Sequence, residues 1–311
     1  MSEVQYISVA EQDVGQRLDN FLFRILKGVP KSHIYRIIRS GEVRVNKKRA
    51  QVSTKLILDD SIRLPPVRVS APEIPCIVPK HVGDKLLENI LYEDDRFLVI
   101  NKPAGLAVHG GSGISLGIIE SLRAIRQDIH YLELVHRLDR DTSGCLMMAK
   151  KRSALRSLQA LFASRSVAKT YWALLDGSWK GKKFQTVDAP LQKNILKSGE
   201  RMVVVSASGK AAVTDFNLLE NYAQACWVEV FPHTGRTHQI RVHSACLAHP
   251  IVGDEKYNQN ERLNILQKFS NRLYLHARSI QFTLEGTKFS FEAEIDDEYQ
   301  AAIATLRKYV S

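Results

Sequence analysis

The chain has 311 residues, 44% apolar and 25% charged, the proportions of an ordinary globular protein with room for two domains. No apolar stretch approaches the roughly 20 residues that cross a bilayer, and residues 1–10 lack the basic-then-apolar pattern of a secretory signal, so a cytoplasmic protein without membrane attachment is expected. The net charge of +11 points to a polyanion, and with no basic amphipathic helix or lipidation signal that partner is read as nucleic acid.

Residues 1–70 hold 13 Lys and Arg against 7 Asp and Glu, so more than half of the net charge lies in under a quarter of the chain. There Leu18, Phe21, Leu22, Ile25 and Leu26 recur at the spacing of an amphipathic helix, which Pro30 breaks. Ser32 is the expected cap of a second helix, carrying Ile34, Ile37 and Ile38 and ended by Gly41. Val43 and Val45 alternate with Arg44 and Asn46 as a strand; Lys47-Lys48-Arg49 reads as the following turn, and Ile57, Ile62 and Leu64 as closing strands. Two short helices and a small sheet that present Lys31, Arg36, Arg39, Arg44, Lys47, Lys48 and Arg49 suit phosphate contact better than base reading. Five of the ten prolines then fall between residues 65 and 79, which predicts a stiff linker over 67–84.

From residue 85 the pattern changes to strands and helices of irregular order, which makes the fold class α+β and not a doubly wound sheet. Strands are predicted at 97–100, 167–175, 203–205, 212–219 and 227–231, and near Tyr274 and Phe289. Helices are predicted at 114–125 and 152–162, from the 233–243 segment to Leu247, and at the end around Tyr299, Ile303 and Leu306. The glycine-rich loop 109–113 lacks the Gly-Lys-Ser/Thr ending that would cradle a nucleotide triphosphate.

The chemistry concentrates in His136-Arg137-Leu138-Asp139-Arg140-Asp141-Thr142-Ser143-Gly144, a polar loop between two apolar runs. Asp139-x-Asp141 could chelate Mg²⁺ as in a nuclease, but the flanking arginines compete for the same oxygens. His233, His238, His243 and His249 are spaced five or six apart, which puts no two imidazoles on one helical face, and the four scattered cysteines form no Cys-x-x-Cys pair. No metal is therefore expected. A metal-free carboxylate, acting as nucleophile or general base, needs a cation from elsewhere in the chain to stay ionised, and Arg236 and Arg241 are the obvious suppliers. Tyr171, midway along a strand, offers a face on which an extruded base could stack.

Two resemblances sharpen this. Arg17-Leu18-Asp19, Lys31-Ser32 and Gly41-Glu42-Val43-Arg44-Val45-Asn46 resemble the S4 RNA-binding domain over residues 14–66, with Lys47 and Asp59 standing where many such domains have glycine. His136 to Gly144, together with Gly235-Arg236-Thr237-His238-Gln239-Ile240-Arg241-Val242-His243, resembles the catalytic signature of the RluA-type pseudouridine synthases. Asn101-Lys102-Pro103, Lys169-x-Tyr171 and His249-Pro250-Ile251-x-Gly253-Asp254 are similar to further motifs of that family. The resemblance implies a catalytic domain at 85–311 on a large mixed, mostly antiparallel sheet with flanking helices. It implies isomerisation of uridines in 23S ribosomal RNA without a cofactor; separately, a monomer is expected. It implies that Asp139 is the catalytic aspartate, salt-bridged to Arg241, with the uracil between Ile240 and Tyr171. Arg137 is implied to help displace the base or hold its phosphate, and Lys102, Lys169 and Arg236 are further substrate-binding candidates, expected to be structural or phosphate-facing. The alternative from another class is a non-catalytic ribosome-assembly factor that uses only the S4-like module.

Overall fold

The computed structural model describes residues 3–26, 28–67, 78–110, 116–195, 201–258 and 272–308. The chain divides into two compact units, residues 1–77 and 78–311.

In the first unit, helices α1 (Leu18–Ile25) and α2 (Lys31–Arg39) cover one face of an antiparallel sheet ordered β1 (Gln5–Ser8), β4 (Ser61–Leu64), β2 (Arg44–Val45), β3 (Lys48–Arg49). Leu18, Phe21, Leu22, Ile34, Ile37, Ile38, Ile62 and Leu64 form its core, as the helical and strand periodicities require. Strand β1 lies outside the expected domain bounds. α2 begins at Lys31 directly after Pro30, whose ring presets the entry, and Ser32 does not cap it. Ile57 is no strand residue: it is 63% exposed in a turn. Lys48 and Arg49 are in β3, and the turn is Asn46-Lys47, both left-handed (φ 49° and 65°), the geometry a two-residue hairpin demands. Asp59 is left-handed too (φ 63°). Lys47 and Asp59 thus adopt the backbone conformation that glycine takes most readily, and side-chain bonds offset the cost at this corner: Asn46 donates to Asp60 (2.7 Å) and accepts from the Ser61 amide (2.9 Å).

The second unit opens with α3 (Lys80–Glu88), inside the stretch expected to be linker; residues 68–77 of that stretch lie outside the described residues. Its main sheet runs β10 (Phe184–Asp188), β13 (Val213–Asn221), β14 (Ala225–Pro232), β9 (Ala168–Asp176), β15 (Leu275–Leu284), β8 (Ser143–Ala149), β6 (Phe97–Lys102), β5 (Ile90–Glu93), with β16 (Thr287–Glu292) on β15 and β7 (Glu133–Leu134) on β8. Of these pairings only β8 with β15 is parallel. Strands β11 (Leu191–Ile195) and β12 (Arg201–Val205) form a separate two-stranded ribbon.

The central strands are buried on both faces, so they read as continuous apolar runs. Leu98, Ile100, Leu146 and Met148 pack under α4 (Ile118–Ile125), while Phe97, Val99, Met147 and Ala149 point the other way, to α5 (Arg152–Ala163) and Phe289 and Phe291 of β16. The last helix, α7 (Asp297–Lys308), buries Tyr299, Ile303 and Leu306 against Leu174 and Tyr274, on the residues its spacing predicted.

Candidate active site

Asp139 sits on the loop joining β7 to β8, and the loop's backbone is fixed from below. Lys102, at the end of β6, is fully buried, and its ammonium donates to the carbonyls of Pro103 (2.9 Å), Leu106 (2.7 Å) and Arg140 (2.7 Å). The last of these clamps the residue next to Asp139. Burial pushes this ammonium down to about 7, while Asp141 and Asp139 pull the other way. Just beyond the loop, Gly144 (φ 107°) meets Ala277 of β15 so closely that a Cβ would lie 2.3 Å from its carbonyl oxygen. Only glycine lets the parallel pair close there, in the middle of the sheet.

Across from the loop stands α6 (Gln239–Cys246), short and buried nearly all round. Its polar residues dock it onto β13. Gln239 donates to Thr214 Oγ1 (2.9 Å) and to the Val213 carbonyl (3.0 Å). His243 lies between Thr214 Oγ1 (2.8 Å) and the Ala189 carbonyl (3.0 Å). Bonds of about 1 kcal/mol each hold the helix in one register, and so aim Arg241.

Arg241 (side chain 8% exposed) forks onto Asp254, Nε to Oδ2 at 2.7 Å and Nη2 to Oδ1 at 2.6 Å, and Asp254 is wholly buried. Its remaining nitrogen, Nη1, stands 3.7 Å from Asp139 Oδ2, an electrostatic contact longer than a hydrogen bond. The guanidinium also lies over the Tyr257 ring, 5.1 Å from its centroid. Asp254 is placed by Gly253 (φ 75°), where a Cβ would collide with the Arg272 carbonyl. The Asp139 carboxylate is 35% exposed, so one side meets the arginine and the rest remains open to a substrate.

The structure therefore brings Asp139 and Arg241 together, across about a hundred residues, and adds a second carboxylate to the expected pair. Asp254 takes the arginine's bidentate fork, and Asp139 receives a single nitrogen. Tyr171, on β9 opposite Val230, is partly buried, and its phenol is pushed up by burial and then by the Asp139 charge. Tyr171 packs against the cluster that holds Ile240. Lys169 is two residues away on the same face of β9, its ammonium pushed down by burial. Arg137 is exposed and its side chain makes no hydrogen bond or ion pair among the described residues. Arg236 is half-buried and donates to the Ala211 carbonyl (3.2 Å).

Lys102 takes the structural of its two expected roles and not the substrate-binding one: all three of its N–H groups go to backbone carbonyls, so it shapes the loop and has no donor left for RNA. Asp141 pairs with Arg140 (3.0 Å). The four histidines go to four separate surroundings: His233 to Asp215, His238 to Tyr257, His243 to Thr214, and His249 onto Trp179. A cavity of about 310 Å³ lined by Asn101, Ser143, Arg272 and Asp296 does not include Asp139.

In the first unit, the strand register shows what spacing could not. Tyr6, Arg63, Arg44 and Arg49 are directly opposite one another across all four strands. The three guanidiniums donate to the carbonyls of Glu42 (2.7 Å), Gly41 (3.3 Å) and Ser40 (3.2 Å), just past the end of α2, and no carboxylate pairs with them among the described residues. Tyr6, 66% exposed, ends the row. By contrast Arg36 faces Glu42 (3.6 Å), and Lys31 and Arg39 lie over the rings of Phe23 and Tyr35.

A basic S4-type module and a sheet whose centre carries an arginine-backed aspartate beside a partly buried tyrosine define an RNA-modifying enzyme. The family models agree: RNA pseudouridylate synthase matches residues 96–246 and the S4 domain residues 16–62. The chain belongs to the RNA pseudouridylate synthase family. It is similar to ribosomal large subunit pseudouridine synthase C of Escherichia coli (strain K12), 50% identical over 98% of this chain and 97% of that protein. The enzyme of the same description from Pasteurella multocida (strain Pm70) is 49% identical over 99% and 95%. Among solved structures, human RNA pseudouridylate synthase domain containing 4 covers 73% of this chain and 96% of its own, with 29% identity and a TM-score of 0.61.

Proposed function

We propose that this pseudouridine synthase acts on uridines of large-subunit (23S) ribosomal RNA, with Asp139 as the catalytic group and Arg241 as the cation that faces it. The arrangement that carries the reading is the open Asp139 carboxylate facing a guanidinium that is itself fixed by the buried Asp254. The N1–C1′ bond of the uridine breaks, the uracil turns in place, and C5 bonds to C1′. C5 loses its proton and N1 gains one, so atoms balance within the nucleotide and no redox equivalent or group donor is consumed. Asp139 would attack the sugar or base or remove a ribose proton. Tyr171 and Ile240 would flank the uracil ring, an apolar sandwich for a base taken out of its stack. Arg137, exposed and uncommitted, would occupy the vacated place or hold the phosphate. Lys169 and Arg236 would add positive field near the backbone. Similarity to relatives named for large-subunit RNA supports the substrate, and the basic row of the first unit supports RNA anchoring. Among the described residues no helix is long and apolar enough to cross a membrane, and the proposed setting is the cytoplasm, with a monomer at work.

The test is Asp139→Ala on large-subunit RNA transcripts. Pseudouridine formation should vanish while RNA affinity stays within several-fold. Turnover by that variant would sink the assignment, and RNA binding without any wild-type turnover would favour the assembly-factor reading. Addition of a chelator should leave the wild-type rate unchanged.

A further inference from the structure

Among the described residues, two groups lie within ion-pair distance of the Asp139 carboxylate, both at 3.7 Å from the same oxygen, Oδ2: Arg241 Nη1 and His238 Nε2. His238 is the residue before α6, and it holds a left-handed backbone (φ 52°) that a non-glycine residue adopts only when its surroundings impose it. Its other nitrogen, Nδ1, is 2.8 Å from Tyr257 Oη. That phenol oxygen also accepts from the Val203 amide of β12 (3.0 Å). With the phenol's own proton donated to Nδ1, the imidazole hydrogen is on Nε2, the nitrogen that faces Asp139, and this is the tautomer the proposal below requires. The groups around the ring are Asp139 from the loop, Arg241 from α6, and Asp254, Lys256 and Tyr257 from the segment after it. Burial lowers the imidazole below its ordinary value, and the Asp139 charge pulls the other way.

We propose that His238 is a positioning residue: its Nε2–H, with Arg241, fixes Oδ2 of Asp139 and leaves Oδ1 as the oxygen that reacts, while Tyr257 and the Val203 amide set the imidazole's tautomer and aim. The contact shortens when RNA closes over the site, as ligand-free catalytic contacts commonly do. A consequence follows for the β11–β12 ribbon. It is tied to the catalytic carboxylate through Val203, Tyr257 and His238, so displacing the ribbon misaims the aspartate. This inference rests on the reading of Asp139 as the catalytic group.

The test compares His238→Ala, His238→Gln, Tyr257→Phe and Asp139→Ala on one large-subunit RNA transcript, with thermal unfolding as a check on folding. A lost hydrogen bond to a charged group predicts that His238→Ala lowers kcat about 10- to 100-fold with KM little changed. His238→Gln keeps an N–H near Nε2 and should recover much of that loss. Tyr257→Phe, nearly isosteric, should lower kcat less than His238→Ala does, again without a KM change. The proposal is overturned if His238→Ala turns over at the wild-type rate, if only KM moves, or if glutamine is no better than alanine. Activity in Asp139→Ala would instead defeat the underlying reading, so the two failures are told apart.

Discussion

Arg241 is held between two carboxylates of unequal standing. Asp254 is buried and bidentate; Asp139 is open and touched by one nitrogen. A buried charge that loses its partner is left uncompensated, which costs about 3–5 kcal/mol. Asp254→Asn should therefore lower unfolding stability by an amount of that order and depress kcat together, read by chemical denaturation and by turnover. A stable but inactive variant would instead mean that Asp254 serves the chemistry alone. Protonation gives a second residue-scale prediction. Burial pushes both His136 and His276 down to about 4, against an ordinary 6.5. The unfolded chain then binds more protons than the folded one between those values, so stability is complete above pH 6.5 and is lost as pH falls toward 4. Each histidine contributes a loss of about 1.4 kcal/mol per pH unit in that window. Denaturation curves at pH 7 and pH 5 test this, and equal stability at the two would contradict it.

Among the elements, the sheet of the first unit carries the most specific claim. Like charges directly opposite across strands repel, so Arg49, Arg44 and Arg63 in one row, eased only by carbonyl oxygens, suit a bound phosphate chain. Arg44→Gln with Arg49→Gln should weaken RNA binding. The slope of log affinity against log salt should fall by about 0.7 for each phosphate of a single strand that is no longer neutralised. An unchanged slope would mean that the row does not touch phosphate. The same substitutions on α2, at Lys31 and Arg39, should matter less, because those cations rest on the rings of Phe23 and Tyr35. At the neighbouring turn, Lys47→Gly removes a left-handed strain and should leave stability equal or higher by about 1 kcal/mol. Helix α6 shows a related economy: Gln239 and His243 lock it onto β13, and the lock is what turns a sequence motif into an aimed guanidinium.

At the scale of the molecule, the positions of the periodic elements were legible, because α1, α2, α5 and α7 each carry one apolar stripe. Strands β1, β5 and β10 were not, being short and half-exposed, without the clean alternation that marks a strand. The contact between Asp139 and Arg241 joins two motifs that lie about a hundred residues apart in the chain. Asp254 stood in a recognised motif beside Gly253 but carried no role, since spacing does not reveal which carboxylate an arginine grips. His238 was weighed only as a metal ligand, and the arginine row needed the strand register. For Lys102 the motif leaves a structural and a phosphate-facing role open, and only its three carbonyl partners decide for the structural one. The measurement that bears most directly on the catalytic role of Asp139 is pseudouridine mapping of 23S ribosomal RNA in cells lacking this protein, complemented with the wild type or with Asp139→Asn. Target uridines should go unmodified in the deletion, regain modification with the wild type and stay unmodified with Asp139→Asn. Full modification in the deletion, or restoration by Asp139→Asn, would contradict that role.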